Sequence, residues 1–307
     1  MNQSDNLLKK EIRSVKTKRL LIGYLYIPAW LVLFVLTIVF DLSIHTIMLA
    51  WVCILCGCVF ADSAFFRKVE DKYLNFGCDP VKMQMISREA LGPDYYGKRE
   101  AAYSLYCGDL QRAVNVSKSL LEDDSVSGTK YYFRTVMSDV YFLTGNFDGL
   151  KAHLNEIFAF LEDEKPSARR KLMAQYSSFE KLRRFCNGEY AEFAAGYERS
   201  LAEKGEKASV FSRAYCSFRA GVGYFYAGDH QRARDFLEQS VALAPRTCYG
   251  MVAKRYLYSL DIGRETVPSE EVPLFRERVR IIKPNRTLRL LICVGVTVTV
   301  YLVLVFL

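Results

Sequence analysis

The sequence predicts an all-α protein, a helical solenoid with transmembrane helices at both ends. The 307-residue chain is 51% apolar and 25% charged. A uniformly globular chain with that many charges would average more hydrophilic, so the apolar residues must be concentrated locally. They form long uncharged runs near both termini. Between those runs, apolar residues recur at helical spacing of three and four, without the sustained alternation of a β-strand.

The chain begins with a basic segment, residues 1–19, which we place in the cytosol. The run from Leu20 to Phe40, "LLIGYLYIPAWLVLFVLTIVF", then supplies 21 residues without a charged side chain. At about 1.5 Å per residue, a helix of this length crosses the roughly 30 Å hydrocarbon core of a bilayer. A cleaved signal peptide is the alternative, but its apolar core is shorter, and here a second apolar run follows almost at once.

Two further apolar runs complete the predicted membrane segments. Thr46 to Ala61 has 16 residues and reaches spanning length only with flanking residues, so residues 20–65 are predicted to form a hairpin of two spans. Residues 290–307 hold 18 uncharged residues and are predicted to form a C-terminal transmembrane helix. The alternative for this last run is a buried helix that closes the soluble domain, but the run is apolar on every side and follows basic residues.

The basic residues orient these predicted spans. They precede the first run, follow the second and precede the third, so the positive-inside bias places residues 62–289 on the cytosolic side. Residues 73–270 hold 27 Lys or Arg against 26 Asp or Glu, which leaves the excess positive charge in the flanks. A nucleic-acid-binding domain would carry that excess on its folded module. The bilayer is therefore an expected partner, and nucleic acid is not.

The region between the spans contains an internal repeat. Four segments share a short helix, a glycine, a polar step and a second helix. Their glycines, separated by 37, 43 and 40 residues, are Gly108, Gly145, Gly188 and Gly228. A helical hairpin cannot bury its apolar stripe alone, whereas stacked hairpins share a continuous core. We therefore predict a cytosolic α-solenoid over residues 73–265 and a basic linker over 266–289.

The fourth segment, "GVGYFYAGDHQRARDFLEQSVALAP", resembles the tetratricopeptide repeat family. The residues that match the family pattern are Gly221, Tyr224, Gly228, Ala233, Leu237 and Pro245. The other three segments are degenerate: Ser104 and Leu150 depart from the pattern, and the third segment has Lys181 and Phe193 at positions that the family keeps small. The resemblance covers residues 94–260, with a capping helix predicted before it at 79–91 and one after it at 249–260.

The resemblance implies a protein-binding function, because the family holds peptides or helices of partner proteins on its concave face. The residues that would line that face are Tyr95, Tyr132, Tyr215, Phe218, Phe225 and Tyr226. Aromatic side chains with a polar tip suit contact with a partner. The alternative for each of them is packing within the core or between repeats.

Residue types that carry chemistry give little indication of an enzyme. Cys53, Cys56 and Cys58 form a C-x2-C-x-C cluster that suits a soft metal or disulfide exchange, but the cluster lies inside an apolar run, where thiolate formation is unfavourable. The remaining cysteines are scattered, as expected of reduced cytosolic thiols. The three histidines fall in three separate regions. We expect no catalytic site, metal, cofactor or small-molecule substrate.

The sequence thus predicts a membrane-tethered interaction scaffold, an integral multi-pass membrane protein whose solenoid recruits a protein partner. A membrane thiol, metal or redox component that uses the cysteine cluster is one alternative. A structural subunit of a larger membrane complex is another. The bacterial plasma membrane is the default location because no organelle address is visible, and an organellar membrane is the alternative.

Overall fold

The computed structural model describes residues 3–24, 26–40, 43–122, 130–162 and 177–279. These residues form helices and turns followed by one extended segment, and they include no β-strand, which confirms the all-α prediction. The helices are α1 (Gln3–Tyr24), α2 (Tyr26–Phe40), α3 (Ile44–Glu70), α4 (Pro80–Ile86), α5 (Pro93–Tyr106), α6 (Leu110–Leu121), α7 (Lys130–Leu143), α8 (Phe147–Glu162), α9 (177–186), α10 (Tyr190–Lys204), α11 (Val210–Tyr226), α12 (His230–Leu243) and α13 (Cys248–Asp261).

One described helical stretch, Leu49–Asn75, is long and apolar enough to cross a membrane. It consists of most of α3 and a π-helical turn that continues it. Its most apolar part is not buried in the protein, and Phe60 is 79% exposed. This exposure distinguishes it from the core helix of a soluble protein, whose apolar side chains are covered. The run predicted as the third span, 290–307, lies outside the described residues.

The N-terminal helix packs against the start of the helical domain. Ile12 and Val15 of α1 are buried with Tyr73, Met83 and other apolar residues in a second, smaller core. The sequence analysis assigned residues 1–19 only a basic cytosolic character. In the structure, the apolar residues of this stretch pack α1 against the end of α3 and against α4. The C-terminal end of the candidate span is therefore packed directly against the helical domain.

The four hairpins α5–α6, α7–α8, α9–α10 and α11–α12 are closed by the same turn. The φ angles of the four predicted glycines are 82°, 71°, 86° and 79° for Gly108, Gly145, Gly188 and Gly228. In the first turn the Gly108 N–H donates to the carbonyl of Leu105 and the Asp109 N–H to that of Ser104, both at 2.9 Å, and the other turns repeat this pattern. It is the Schellman arrangement, which favours glycine because the left-handed conformation strains other residues.

Close helix packing in the fourth hairpin depends on small residues. A Cβ atom at Gly221 of α11 would lie 2.7 Å from Cγ of Leu237 on α12, and Ala233 is fully buried between the helices. Tyr224 is 4% exposed, and its hydroxyl donates to Glu198 of the preceding hairpin. Pro245, the last matching residue of the repeat pattern, is exposed just after the end of α12. Gly221, Tyr224 and Ala233 therefore serve the packing of the hairpin.

The main hydrophobic core runs through the hairpins and includes α13. Its buried residues come from α5 through α13, and many of them are aromatic. Tyr249 and Tyr256 of α13 are 1% and 2% exposed, which places this last helix inside the core and not at its edge. The C-terminal helix predicted to cap the repeats is thus present, and it covers the aromatic residues of α11.

Candidate functional site

Three of the aromatic residues predicted to contact a partner pack closely against α13, and a fourth, Tyr226, also has its ring 6.2 Å from that of Tyr256. Phe218 is 0% exposed and lies 5.7 Å, centroid to centroid, from Tyr249. Phe225 is 2% exposed and lies 5.1 Å from Tyr256. Tyr215 is half-buried, with its ring 5.1 Å from that of Tyr249. A partner would reach these side chains only after α13 moved away, so in this structure they pack.

The other three predicted contact residues differ from one another. Tyr226 is half-buried, packs 5.6 Å from Tyr190 and is hydrogen-bonded to the backbone of Val267. Tyr132 is 37% exposed near the start of α7. The side chain of Tyr95 lies outside the described part of the chain. Tyr226 is thus the predicted contact residue that touches an extended segment, in this case one from its own chain.

A buried ion pair lies in the middle of the helical domain. Arg219 of α11 is 0% exposed, and its guanidinium donates to the carboxylate of Asp139 on α7. The guanidinium carbon also lies 3.8 Å from the ring centroid of Phe142, within the range of a cation–π contact. The Tyr249 hydroxyl donates to the second oxygen of Asp139 at 3.5 Å. Hairpins two and four and α13 therefore meet at this pair.

Burial and the neighbouring groups act in opposite directions on the pKa values of this pair. Burial raises the pKa of Asp139 above its ordinary value, and Arg219 and Tyr249 offset only part of that rise. Burial lowers the pKa of Arg219, but Tyr215 and Asp139 outweigh it, so the net pKa lies above the ordinary arginine value. We therefore take Arg219 as charged and Asp139 as dependent on it for ionisation. Such a pair joins α7 to α11. Removal of one of its two members leaves the other buried without its main partner, which is energetically costly.

The most informative surface is one that the sequence analysis did not single out. After α13 the chain does not form a free linker; residues 264–279 run extended across other helices of the domain. We call them the extended segment. They follow α6, the turn between α7 and α8, and α13, and we call the surface formed by these three elements the groove.

Three polar side chains of α6, each about one turn from the next, bind the backbone of the extended segment. They are Gln111, Asn115 and Ser119. The Gln111 amide donates to the carbonyl of Leu274 at 2.7 Å. The backbone N–H of Arg276 donates to Oδ1 of Asn115 at 3.1 Å, and Asn115 is 4% exposed. Gln111 also donates to this Oδ1, at 3.1 Å, which fixes the orientation of both amides.

The contact continues at the end of α6 and at the opposite end of the groove. The N–H of Val279 donates to Oγ of Ser119 at 2.9 Å, and this hydroxyl donates in turn to the carbonyl of Asn115 at 2.7 Å. At the other end, the N–H of Glu270 donates to the carbonyl of Thr144 at 2.7 Å. The groove therefore bonds backbone groups at intervals along the segment, at Glu270, Leu274, Arg276 and Val279, as peptide-binding surfaces do.

Two ion pairs give the groove a direction. Arg255 of α13 pairs with Glu270 at 2.7 Å and also donates to the carbonyl of Pro268 at 3.1 Å. At the far end, Arg278 pairs with Glu122 at 2.8 Å. The basic end of the groove thus meets the acidic part of the segment, and its acidic end meets the basic part. These pairs are partly exposed, so they select orientation more than they add affinity.

The extended segment borders an open cleft. This cleft, of about 670 Å³, is lined by residues 269–274 together with Lys118, Tyr141, Asn146 and Gly149. A second space of about 180 Å³ lies beside Glu270, against the N-terminal part of α13. A peptide with larger side chains than Ser269 and Pro273 would therefore find room here.

The cysteines and histidines do not assemble into a reactive site among the described residues. No three His, Cys, Asp or Glu side chains of that part of the chain come together as metal ligands do. Cys53 and Cys56 are exposed on α3, and the side chain of Cys58 is outside the described part. Burial raises the pKa of Cys186 to about 11 and that of Cys107 to about 12, so both thiols are protonated at neutral pH.

One sequence signal could have found the groove. Gln111, Asn115 and Ser119 are spaced by four, so they form a polar stripe along one face of a helix that is otherwise well buried. Polar residues at that spacing on a partly buried face need a hydrogen-bonding partner. The composition of residues 266–279 gave no comparable signal, because its prolines and charges also fit a linker.

Comparisons with known proteins found no match: no family model, no curated protein and no solved structure is similar to this chain.

Proposed function

We propose that this protein is a membrane-tethered protein–protein interaction adaptor. Its cytosolic helical repeats, which resemble tetratricopeptide repeats, bind an extended segment of a partner protein. The groove carries this proposal, because it holds the backbone of the extended segment through Gln111, Asn115 and Ser119. A surface that binds one extended segment mainly through its backbone has the chemistry to bind another.

The membrane part of the proposal is supported by α3 and by the pattern of charge. We propose that α3 spans the bilayer as the second of two N-terminal spans, that residues 290–307 form a third, and that the repeats face the cytosol. Arg67 and Lys68, in the last turn of α3, lie where the positive-inside bias expects cytosolic charge. Attachment at both ends would hold the groove close to membrane-bound partners and raise its effective concentration toward them.

The binding chemistry of the groove, with no aligned nucleophile or general base, is the reason for proposing an adaptor and not an enzyme. The side chains of the groove that contact the segment are two amides, a hydroxyl, Arg255 at one end and Glu122 at the other, which orient a peptide and transfer nothing. The alternative of a structural subunit makes a different prediction, since such a chain would purify in fixed stoichiometry with its complex.

The test is quantitative capture of partners from cells that express the full chain, after brief chemical crosslinking of the intact cells. Three chains are compared: the unmodified protein, the groove variant Gln111→Ala with Asn115→Ala, and the control Gln231→Ala. Gln231 is a matched control, because it makes the same kind of i to i+4 hydrogen bond, to Asp235, on the exposed face of α12.

The proposal expects at least one protein to be captured by the unmodified chain and by the control, and to be lost from the groove variant. All three chains must reach the membrane in equal amounts. Identical capture by the three chains would contradict a groove-based adaptor. Capture of one set of proteins in constant stoichiometry by all three would indicate a structural subunit instead.

A further inference from the structure

The groove is occupied by the extended segment of its own chain, and this arrangement suggests how binding of a partner is controlled. We propose that the groove is the binding site for an extended peptide of a partner protein, acidic at one end and basic at the other, and that the extended segment competes with that peptide in cis. The inference rests on the proposed function for the existence of a partner. The site, the ligand chemistry and the competition follow from the contacts of the segment itself.

The contacts of the groove are suited to an exchangeable ligand. Gln111, Asn115 and Ser119 bond to carbonyl and N–H groups of the segment, which every peptide other than a proline-rich one presents at the same spacing. The hydrogen bonds of the groove therefore depend on the extended conformation of the ligand more than on its side chains.

The cis segment leaves part of the surface beside it uncovered. An open cleft of about 670 Å³ lies next to residues 269–274 and is lined on its other side by Lys118 and Tyr141. Val272 is half-buried against the core, while Leu274 is 68% exposed. A ligand with large apolar side chains at the corresponding positions would bury surface that the cis segment leaves open, and so gain affinity over it.

The two ion pairs define the charge pattern of the ligand. Arg255 at one end of the groove binds Glu270, and Glu122 at the other end binds Arg278, eight residues later in the segment. A partner peptide that lies in the same direction therefore carries an acidic residue and, about eight residues later, a basic one. Between them, it presents an apolar side chain near the position of Val272. Reversal of the two charges would oppose binding in this direction.

The segment is placed so that it can leave the groove. Its ion pairs are partly exposed, and much of its surface faces solvent, so its release costs far less than unfolding of the domain. Because it is covalently attached, it competes at an effective concentration in the millimolar range. If it occupied the groove for about nine-tenths of the time, a partner peptide would bind about tenfold more weakly than to an open groove.

The test measures peptide binding to the full chain in lipid nanodiscs, by fluorescence anisotropy. The probe is a labelled peptide with the sequence of residues 264–279, RETVPSEEVPLFRERV. Four chains are compared: the unmodified protein, Val272→Asp, Val272→Asp with Asn115→Ala, and Val272→Asp with Gln231→Ala. The Val272→Asp change weakens the cis segment without altering the groove. Circular dichroism checks that each chain keeps its helical content.

The Val272→Asp chain should bind the peptide about tenfold more tightly than the unmodified chain, because its groove is open. Adding Asn115→Ala should weaken that binding by about threefold to tenfold, through loss of one hydrogen bond to the peptide backbone. Adding Gln231→Ala should leave it unchanged. Equal affinity for the unmodified and Val272→Asp chains, or binding that is insensitive to Asn115→Ala, would overturn the inference. Lack of binding by all four folded chains would overturn it too.

A charge-swapped peptide tests the direction of binding and guards against nonspecific association. This peptide has Lys in place of Glu270 and Glu in place of Arg278. It should bind the Val272→Asp chain more weakly, and it should regain affinity when Arg255→Glu and Glu122→Lys are added to that chain. Equal binding of both peptides to all chains would contradict the proposed orientation. If peptides bind as expected but no partner is captured in cells, the proposed function fails, and the peptide-binding site and its competition in cis stand without it.

Discussion

The guanidinium of Arg219 is ion-paired with the carboxylate of Asp139, which lies 80 residues earlier in the chain. Both groups are buried in the helical domain, and the pair joins the fourth hairpin to the second. Tyr249 adds α13 to the same contact. The pair therefore connects distant parts of the chain. The packing around it also fixes α13, the helix that carries Arg255 of the groove.

Removing one member of this pair should destabilise the domain more than removing both. Arg219→Met leaves Asp139 buried without its main partner and should cost about 3–5 kcal/mol of unfolding free energy. Adding Asp139→Leu removes that uncompensated group, so the double variant should be more stable than the single one. Urea unfolding of the full chain in detergent, followed by circular dichroism, measures both values. Additive losses in the double variant would show that the two side chains act independently.

Two glycine substitutions should have opposite effects. Gly221→Ala places a Cβ 2.7 Å from Cγ of Leu237 and should destabilise the fourth hairpin by about 1–3 kcal/mol. Gly196→Ala is the matched control in α10, because its Cβ would meet only Cε of Lys181, at 3.8 Å. That change should stabilise the helix by up to about 1 kcal/mol. Equal effects of the two changes in thermal unfolding would contradict the close packing of α11 on α12.

Stability should fall with acidification below pH 6.5 because of His153. Burial lowers the pKa of this histidine below its ordinary value of 6.5, although a contact between its ring and the carbonyl of Arg134, at 3.2 Å, partly offsets the effect. The unfolded chain therefore binds the proton first, and the contribution of His153 to stability is complete above pH 6.5 and lost as pH falls through the folded pKa.

Replacement of this histidine provides the measurement. His153→Asn cannot titrate in this range, so its unfolding midpoint in urea should change less between pH 7 and pH 5 than that of the unmodified chain. The comparison isolates His153, since the two chains share all other titratable groups. Identical pH profiles for the two chains would show that His153 titrates equally in the folded and unfolded states.

Cys53 and Cys56 report on the proposed membrane span. Both thiols are exposed on the surface of α3, so in water they would react freely, whereas inside a bilayer they would be shielded from charged reagents. In sealed inside-out vesicles, which expose the proposed cytosolic side, a membrane-impermeant maleimide should therefore leave them unmodified, and it should label them after detergent is added. Lys207→Cys, at an exposed position of the helical domain, is the accessible control. Labelling of Cys53 in intact vesicles at the rate of this control would contradict the span.

The sequence predicted local structure well, because local rules govern it. The glycines that close the four hairpins are recognisable from residue type and spacing, and all four have the positive φ that such a turn requires. The one candidate span among the described residues, Leu49–Asn75, overlaps the second apolar run, which by composition reached spanning length only with flanking residues. The role of α13 could not be predicted from the sequence, because a capping helix and a helix packed into the core have the same amphipathic pattern.

The site was the least predictable part. Phe218 and Phe225 were chosen from a family pattern, but their exposure depends on whether a later helix covers them, which no local pattern encodes. The groove arises where a Pro- and charge-containing tail meets α6, more than 140 residues earlier. Contacts at that separation depend on how all the intervening hairpins pack. Only the polar stripe of Gln111, Asn115 and Ser119 carried a local signal.

The most direct measurement is photo-crosslinking from the groove in intact cells. A photoreactive amino acid replaces Lys118, at the wall of the open cleft, in the unmodified chain and in the Val272→Asp chain. The same amino acid at Gln231 provides the control position. We expect a discrete protein adduct from position 118 and not from 231, with a higher yield in the Val272→Asp chain, where the cis segment is weakened. The same adducts from both positions, or none from position 118 of a folded, membrane-inserted Val272→Asp chain, would show that the groove does not bind a partner.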